Sequence, residues 1–124
     1  MKIELHILEV ELSIAKLTSI KNIDQLAAKS SFFALTKTDQ EVSLVVDSEN
    51  MPEHQYVNDD WKAIKMVGPL DFSLVGVLQQ VIQPLAEHGI SIFTISTFDT
   101  DYTLVKEQQL DRAIEILGEK FVIR

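Results

Sequence analysis

The chain has 124 residues, 46% of them hydrophobic and 24% charged, with no cysteine and a net charge of −8 at pH 7. That length fits one globular domain, or two very small ones on a shared core, and buries enough surface to fold without a metal or a disulfide. The missing cysteines exclude disulfides, thiolate metal sites and cysteine nucleophiles. The acidic balance argues against a nucleic-acid partner, which needs a basic footprint: residues 1–60 carry 11 acidic and 5 basic side chains, residues 61–124 carry 8 and 6.

The N-terminal run Met1-Lys2-Ile3-Glu4-Leu5-His6 places a glutamate where a signal peptide needs a clean apolar stretch. No apolar run is long enough to span a bilayer, so a cytoplasmic protein without membrane contact is expected. Residues 3–17 alternate twice, through Ile3, Leu5 and Ile7 and then Val10, Leu12 and Ile14, and read as one long or bulged strand. Residues 24–30 form one or two helical turns. Residues 32–37 and 42–47 read as strands joined around Thr38-Asp39-Gln40-Glu41. Residues 47–60 collect turn formers, Asn50, Pro52, Asn58 and Asp59 among them, and mark a loop between two halves, 1–60 and 61–124.

The second half is more legible. Residues 61–67 read as a strand covered on both faces, ended by Gly68-Pro69. Leu74, Val77, Leu78, Val81, Ile82, Leu85 and Ala86 recur at helical steps, with Asp71 or Ser73 as the cap, Gly89 at the C-terminal end and a bend around Pro84. Residues 91–97 are β-branched and aromatic and read as a strand, turned by Phe98-Asp99-Thr100-Asp101 into a returning strand over 102–106. Leu110, Ala113, Ile114 and Leu117 give a short amphipathic helix ended by Gly118. Residues 121–123 give a last strand. The order β-α-β-β-α-β is the ferredoxin-like split βαβ. Trp61, Phe72, Phe93, Phe98 and Tyr102 are best placed for core packing.

The runs Gly68-Pro69-Leu70-Asp71-Phe72-Ser73-Leu74-Val75-Gly76-Val77-Leu78, Leu85-Ala86-Glu87-His88-Gly89-Ile90-Ser91-Ile92-Phe93-Thr94-Ile95-Ser96-Thr97 and Thr97-Phe98-Asp99-Thr100-Asp101-Tyr102-Thr103-Leu104-Val105-Lys106 look like a known family. They resemble small ACT-domain proteins related to the ACT region of aspartate kinases and to the CASTOR-type cytosolic arginine sensors of animals. The resemblance is specific from Trp61 onward and thinner before it. It implies an α+β fold of two ACT-like, ferredoxin-like βαββαβ halves side by side, the first one incomplete, with antiparallel sheets packed against helices. It also implies dimerisation and an effector, an amino acid, held at an interface between ACT units. By that resemblance the ligand meets Gly68, Asp71, Phe72, Ser73, Leu74 and Gly76 on one side, and residues 92–97, Thr97 among them, with Thr100 and Asp101 on the other.

The physical chemistry of those positions allows two readings. A helix N-terminus offers free N–H groups and a partial positive charge to a carboxylate, Ser73 can donate a hydroxyl, Asp71 can hold an ammonium group, and Gly68 and Gly76 permit close backbone approach. Asp71 and Ser73 equally serve as plain caps, and Gly68-Pro69 as a plain turn. Asp99 and Asp101 flank Thr100 as paired carboxylates, but two aspartates in a hairpin are commonly turn formers, and no third oxygen ligand stands at a recognisable spacing. His6, His54 and His88 form no ligand motif. No nucleophile–base pair, phosphate loop or zinc motif stands out, so no enzyme activity, cofactor or metal is expected. The alternatives to an effector-binding module are a structural or dimerisation domain without a ligand, and an enzyme on a ferredoxin-like frame.

Overall fold

The computed structural model describes residues 3–52, 56–67 and 76–124. Among them it contains eight strands and three α-helices in an α+β arrangement. Backbone contacts divide the chain into two compact units, residues 10–61 and residues 1–9 with 62–124.

The unit of residues 10–61 is built on β2 (Leu12–Leu17), α1 (Ile23–Lys29), β3 (Phe33–Lys37), β4 (Val42–Asp47) and the start of β5 (Val57–Met66). Its strands pair in the order β3-β4-β2-β5. Period-two alternation puts Ala15, Leu17, Leu44 and Val46 on one face, where Ile23 and Leu26 of α1 close over them. The β3–β4 turn closes on Thr38, whose hydroxyl accepts hydrogen bonds from the N–H groups of Gln40 and Glu41. At the end of β4, Asp47 is buried and accepts hydrogen bonds from the Ser31 N–H (2.9 Å), the Phe32 N–H (2.8 Å) and the Ser31 hydroxyl (3.0 Å). Burial works against its charged form, but these donors outweigh it and hold the Asp47 pKa below the ordinary aspartate value.

The loop expected over residues 47–60 is shorter than that. A 3-10 turn, Ser48–Asn50, follows β4, and β5 begins at Val57. Polar residues Asn58, Asp59 and Asp60 lie in the strand because it bulges there. Between the pairs Leu12↔Trp61 and Ile14↔Asn58 a single residue of β2, Ser13, opposes two of β5, Asp59 and Asp60, and Asp60 takes the left-handed conformation, φ +70°.

The other unit contains β1 (Glu4–Ile7), the end of β5, α2 (Val77–Glu87), β6 (Ile92–Ser96), β7 (Asp101–Lys106), α3 (Leu110–Leu117) and β8 (Val122–Ile123). The single strand expected over residues 3–17 is two strands, and β1 belongs here. It pairs antiparallel with β5 (Leu5↔Met66, Ile7↔Ile64) and parallel with β8 (Leu5↔Ile123). The order is β6-β7-β5-β1-β8. Leu5 sits at the middle of the core with Ile64, Met66, Val81, Leu85, Val105 and Leu117.

Helix α2 runs through Pro84 and ends in a Schellman motif. The Ile90 N–H donates to the Leu85 carbonyl and the Gly89 N–H to the Ala86 carbonyl, both at 3.0 Å, with Gly89 at φ +73°. Helix α3 also stops before a glycine, but Gly118 is right-handed, at φ −63°. Its helix ends without a left-handed cap, with Phe121 donating to the Leu117 carbonyl. Phe98 is not a core residue: it stands 81% exposed in the β6–β7 turn.

Candidate functional site

The β6–β7 hairpin carries three of the residues singled out above. Its turn is closed by the Thr97 N–H on the Thr100 carbonyl (2.8 Å), and the Thr97 hydroxyl both donates to that carbonyl (3.1 Å) and accepts from the Thr100 N–H (3.2 Å). Thr100 is buried, and its hydroxyl donates to the Met66 carbonyl at the end of β5. Asp101 accepts a hydrogen bond from the Ser96 hydroxyl across the strand pair. Thr97 and Thr100 thus use their hydroxyls to shape the hairpin and fasten it to β5. Asp101 is half-buried, so its carboxylate keeps access to solvent.

Gly76 stands immediately before α2, in the left-handed conformation at φ +78°. A Cβ there would meet only Gln79 Oε1, at 3.9 Å. Glycine is required at this position by the backbone angle, not by lack of space. The helix begins at Val77, after Gly76, with no capping side chain. Asp71 and Ser73, expected as caps for α2, lie outside the described residues; among those described, the cap position is Gly76, which has no side chain to offer. The remaining candidates, Gly68, Asp71, Phe72, Ser73 and Leu74, lie outside the described residues.

Connectivity brings Gly76 and the hairpin to one end of the unit. The C-terminus of α2 reaches Ile92 of β6 through only four residues, 88–91. An eleven-residue helix is about 16 Å long at ~1.5 Å per residue. The five residues of β6 cover about the same distance at ~3.3 Å each. A helix of that length running back along β6, which α2 contacts, has its N-terminal end toward the hairpin.

The sheet face turned toward the helices is apolar at one end and polar at the other. In β6 and β7, Ile92 pairs with Val105, Thr94 with Thr103 and Ser96 with Asp101. Val105 is in the core beneath α2 and α3, and Ile92 packs against that core. Strand alternation puts Thr94, Ser96, Asp101 and Thr103 on the same face, nearer the hairpin. Thr94 and Ser96 are exposed and Thr103 is buried. The first three N–H groups of α2 have no intrahelical acceptor, and the helix dipole is positive there. One carboxylate, several hydroxyls and a helix N-terminus thus share one end of the unit.

Sequence reasoning reached Asp101 and the 92–97 strand but missed Thr103. The signal was available: Asp101, Thr103 and Val105 alternate onto the face that covers a core, and a threonine there is polar among apolar neighbours. On the opposite face, Lys65 lies with its ammonium 5.9 Å from the centre of the Tyr102 ring. Two open clefts, of about 260 Å³ beside Gln79, Gln83 and Lys120 and about 290 Å³ beside Glu11 and Ser48, are not lined by Thr94, Asp101 or Thr103. Among the described residues no cluster of three or more histidine or acidic side chains is placed to hold a metal ion, and no helix is long and apolar enough to cross a membrane.

Comparison with known proteins agrees with this architecture. The family model for the ACT domain matches residues 56–119. The human protein named cytosolic arginine sensor for mTORC1 subunit 1 is 32% identical over 107 residues, a match that takes in 77% of this chain and 32% of the sensor. The chain thus spans about a third of the length of those relatives. The crystal structure of protein Atu0741 from Agobacterium tumefaciens superposes with a TM-score of 0.88 at 33% identity, over 100% of this chain and 93% of that one. The regulatory subunit of aspartate kinase from Thermus thermophilus shares the fold at 11% identity, with a TM-score of 0.68 over 94% of this chain and 96% of that one. The chain belongs to the ACT domain family.

Proposed function

We propose that this protein is a non-enzymatic regulatory module that binds an amino acid at the polar end of its 62–124 unit. What supports the reading is that the α2 N-terminus and the Asp101 carboxylate fall at the same end of the unit. A zwitterion needs an anion-binding group and a cation-binding group, and a helix N-terminus and a carboxylate are of those two kinds. In the full site Gly68, Asp71, Phe72, Ser73, Leu74 and Gly76 line the helix side, and Thr97, Thr100 and Asp101 line the hairpin side, with Thr97 and Thr100 acting through the shape of the turn. A second subunit closes the site, so the working form is a cytoplasmic homodimer whose assembly or partner binding changes with ligand level. The similarity to the arginine sensors makes arginine the first ligand to try.

A second reading, a structural domain that binds nothing, draws on the internal pairing of the Thr97 and Thr100 hydroxyls. Thermal denaturation with each of the twenty amino acids at millimolar concentration separates the two. A ligand at a hundred times its Kd adds about 2.7 kcal/mol, which raises Tm by roughly 10 °C in a domain of this size. An unmoved Tm with all twenty favours the structural domain.

A further inference from the structure

We infer that the hydroxyl of Thr103 donates a hydrogen bond to the ligand's carboxylate, which it shares with the first-turn N–H groups of α2. This rests on the amino-acid-binding reading above and names a contact within it. Thr103 is 1% exposed, and among the described residues its Oγ1 is the buried side-chain oxygen without a hydrogen-bond partner. Buried hydroxyls in native proteins are nearly always paired, and an unpaired one destabilises the fold. A valine of the same shape would remove that penalty.

The surroundings of Thr103 fit a ligand group better than a packing role. It stands on the helix-facing side of β7, between Val105 toward the core and Asp101 toward the hairpin. By chain connectivity the N-terminal end of α2 falls toward that end of the face, and its cap, Gly76, supplies no side-chain acceptor to its N–H groups. Donors therefore come from two directions, the helix amides and the Thr103 hydroxyl. A carboxylate can accept from both, and charged acceptors give the strongest hydrogen bonds of this kind. Thr94, the direct cross-strand neighbour of Thr103, is exposed, so the approach runs over the edge strand β6. Asp101, two residues away on the same face, is left for the ligand's ammonium group.

The test uses the full chain as wild type, Thr103→Val and Thr103→Ser. The amino acid giving the largest thermal shift on wild type is titrated calorimetrically into each, and so is its carboxamide. Thr103→Val is expected to match or exceed wild type in Tm without ligand, yet to bind the amino acid about tenfold or more weakly. Thr103→Ser is expected to bind like wild type. Blocking the carboxylate as an amide should weaken binding to wild type by a similar factor and change little in Thr103→Val. If Thr103→Val does not fold, Thr103→Ala replaces it, with Thr103→Ser again the hydroxyl-bearing control. Equal affinities in wild type and Thr103→Val overturn the Thr103 contact and leave the amino-acid reading standing. A wild type that responds to none of the twenty overturns both.

Discussion

The Thr100 hydroxyl donates to the main-chain carbonyl of Met66, fastening the tip of the β6–β7 hairpin to the last residue of β5. Both ends of this bond are buried, so losing the donor leaves a carbonyl without its partner. Thr100→Val is expected to cost about 1–3 kcal/mol in urea unfolding. Thr100→Ser keeps the hydroxyl and should recover most of the loss. Equal stability of the valine variant and wild type would mean that the bond contributes nothing.

Asp47 predicts how acid acts on the protein. Its pKa is held below the ordinary value of 3.8 by donors from Ser31 and Phe32. A carboxyl with a depressed folded-state pKa contributes stability that is fully present above the unfolded value and is lost as pH falls through the folded one. Asp47→Asn should therefore lower stability at pH 7 and flatten the acid dependence below about pH 4. Urea midpoints at pH 7 and pH 3 measure both; parallel curves for the two proteins would contradict the assignment.

Gly89 is fixed by the Schellman end of α2. An alanine at φ +73° is strained whatever the space around it, and the site is open, with nothing near enough to clash. Gly89→Ala is expected to cost about 1–2 kcal/mol, and Gly89→Asn less, because asparagine tolerates the left-handed region better. Thermal denaturation of the pair reads the difference.

The helices and the hairpin were legible because their signals are local. Apolar residues at three- and four-residue steps mark α2 and α3, Gly89 marks a helix end, and Asp99 sits in a turn between β-branched runs. Three features were not legible, each for its own reason. The start of α2 at Val77 was not legible because a left-handed Gly76, with no side chain, leaves none of the capping signal that marks most helix starts. Phe98 reads as a core residue because aromatic side chains usually are, yet its place in the hairpin turn leaves it exposed. The break between β1 and β2 was invisible because both segments alternate correctly. Only partners more than fifty residues away, Met66 and Ile123, decide where Leu5 goes.

That placement gives a further prediction. Leu5 is fully buried on a strand held between β5 and β8. Leu5→Ala should cost about 2–5 kcal/mol, as large-to-small core changes do. Removing residues 1–9 takes away the whole strand and leaves β5 and β8 with unpaired edges, so that variant is expected to lose cooperative unfolding. A sharp, wild-type-like melt of the truncated chain would show that β1 is dispensable.

Amide chemical-shift mapping of the isotope-labelled protein, titrated with arginine first and then with the other amino acids, tests the binding account most directly. The account predicts saturable shifts grouped at Gly76–Gln79, Thr94, Asp101 and Thr103, with the core of the 10–61 unit unmoved. Saturable shifts centred elsewhere, or none with any amino acid at millimolar concentration, would contradict it.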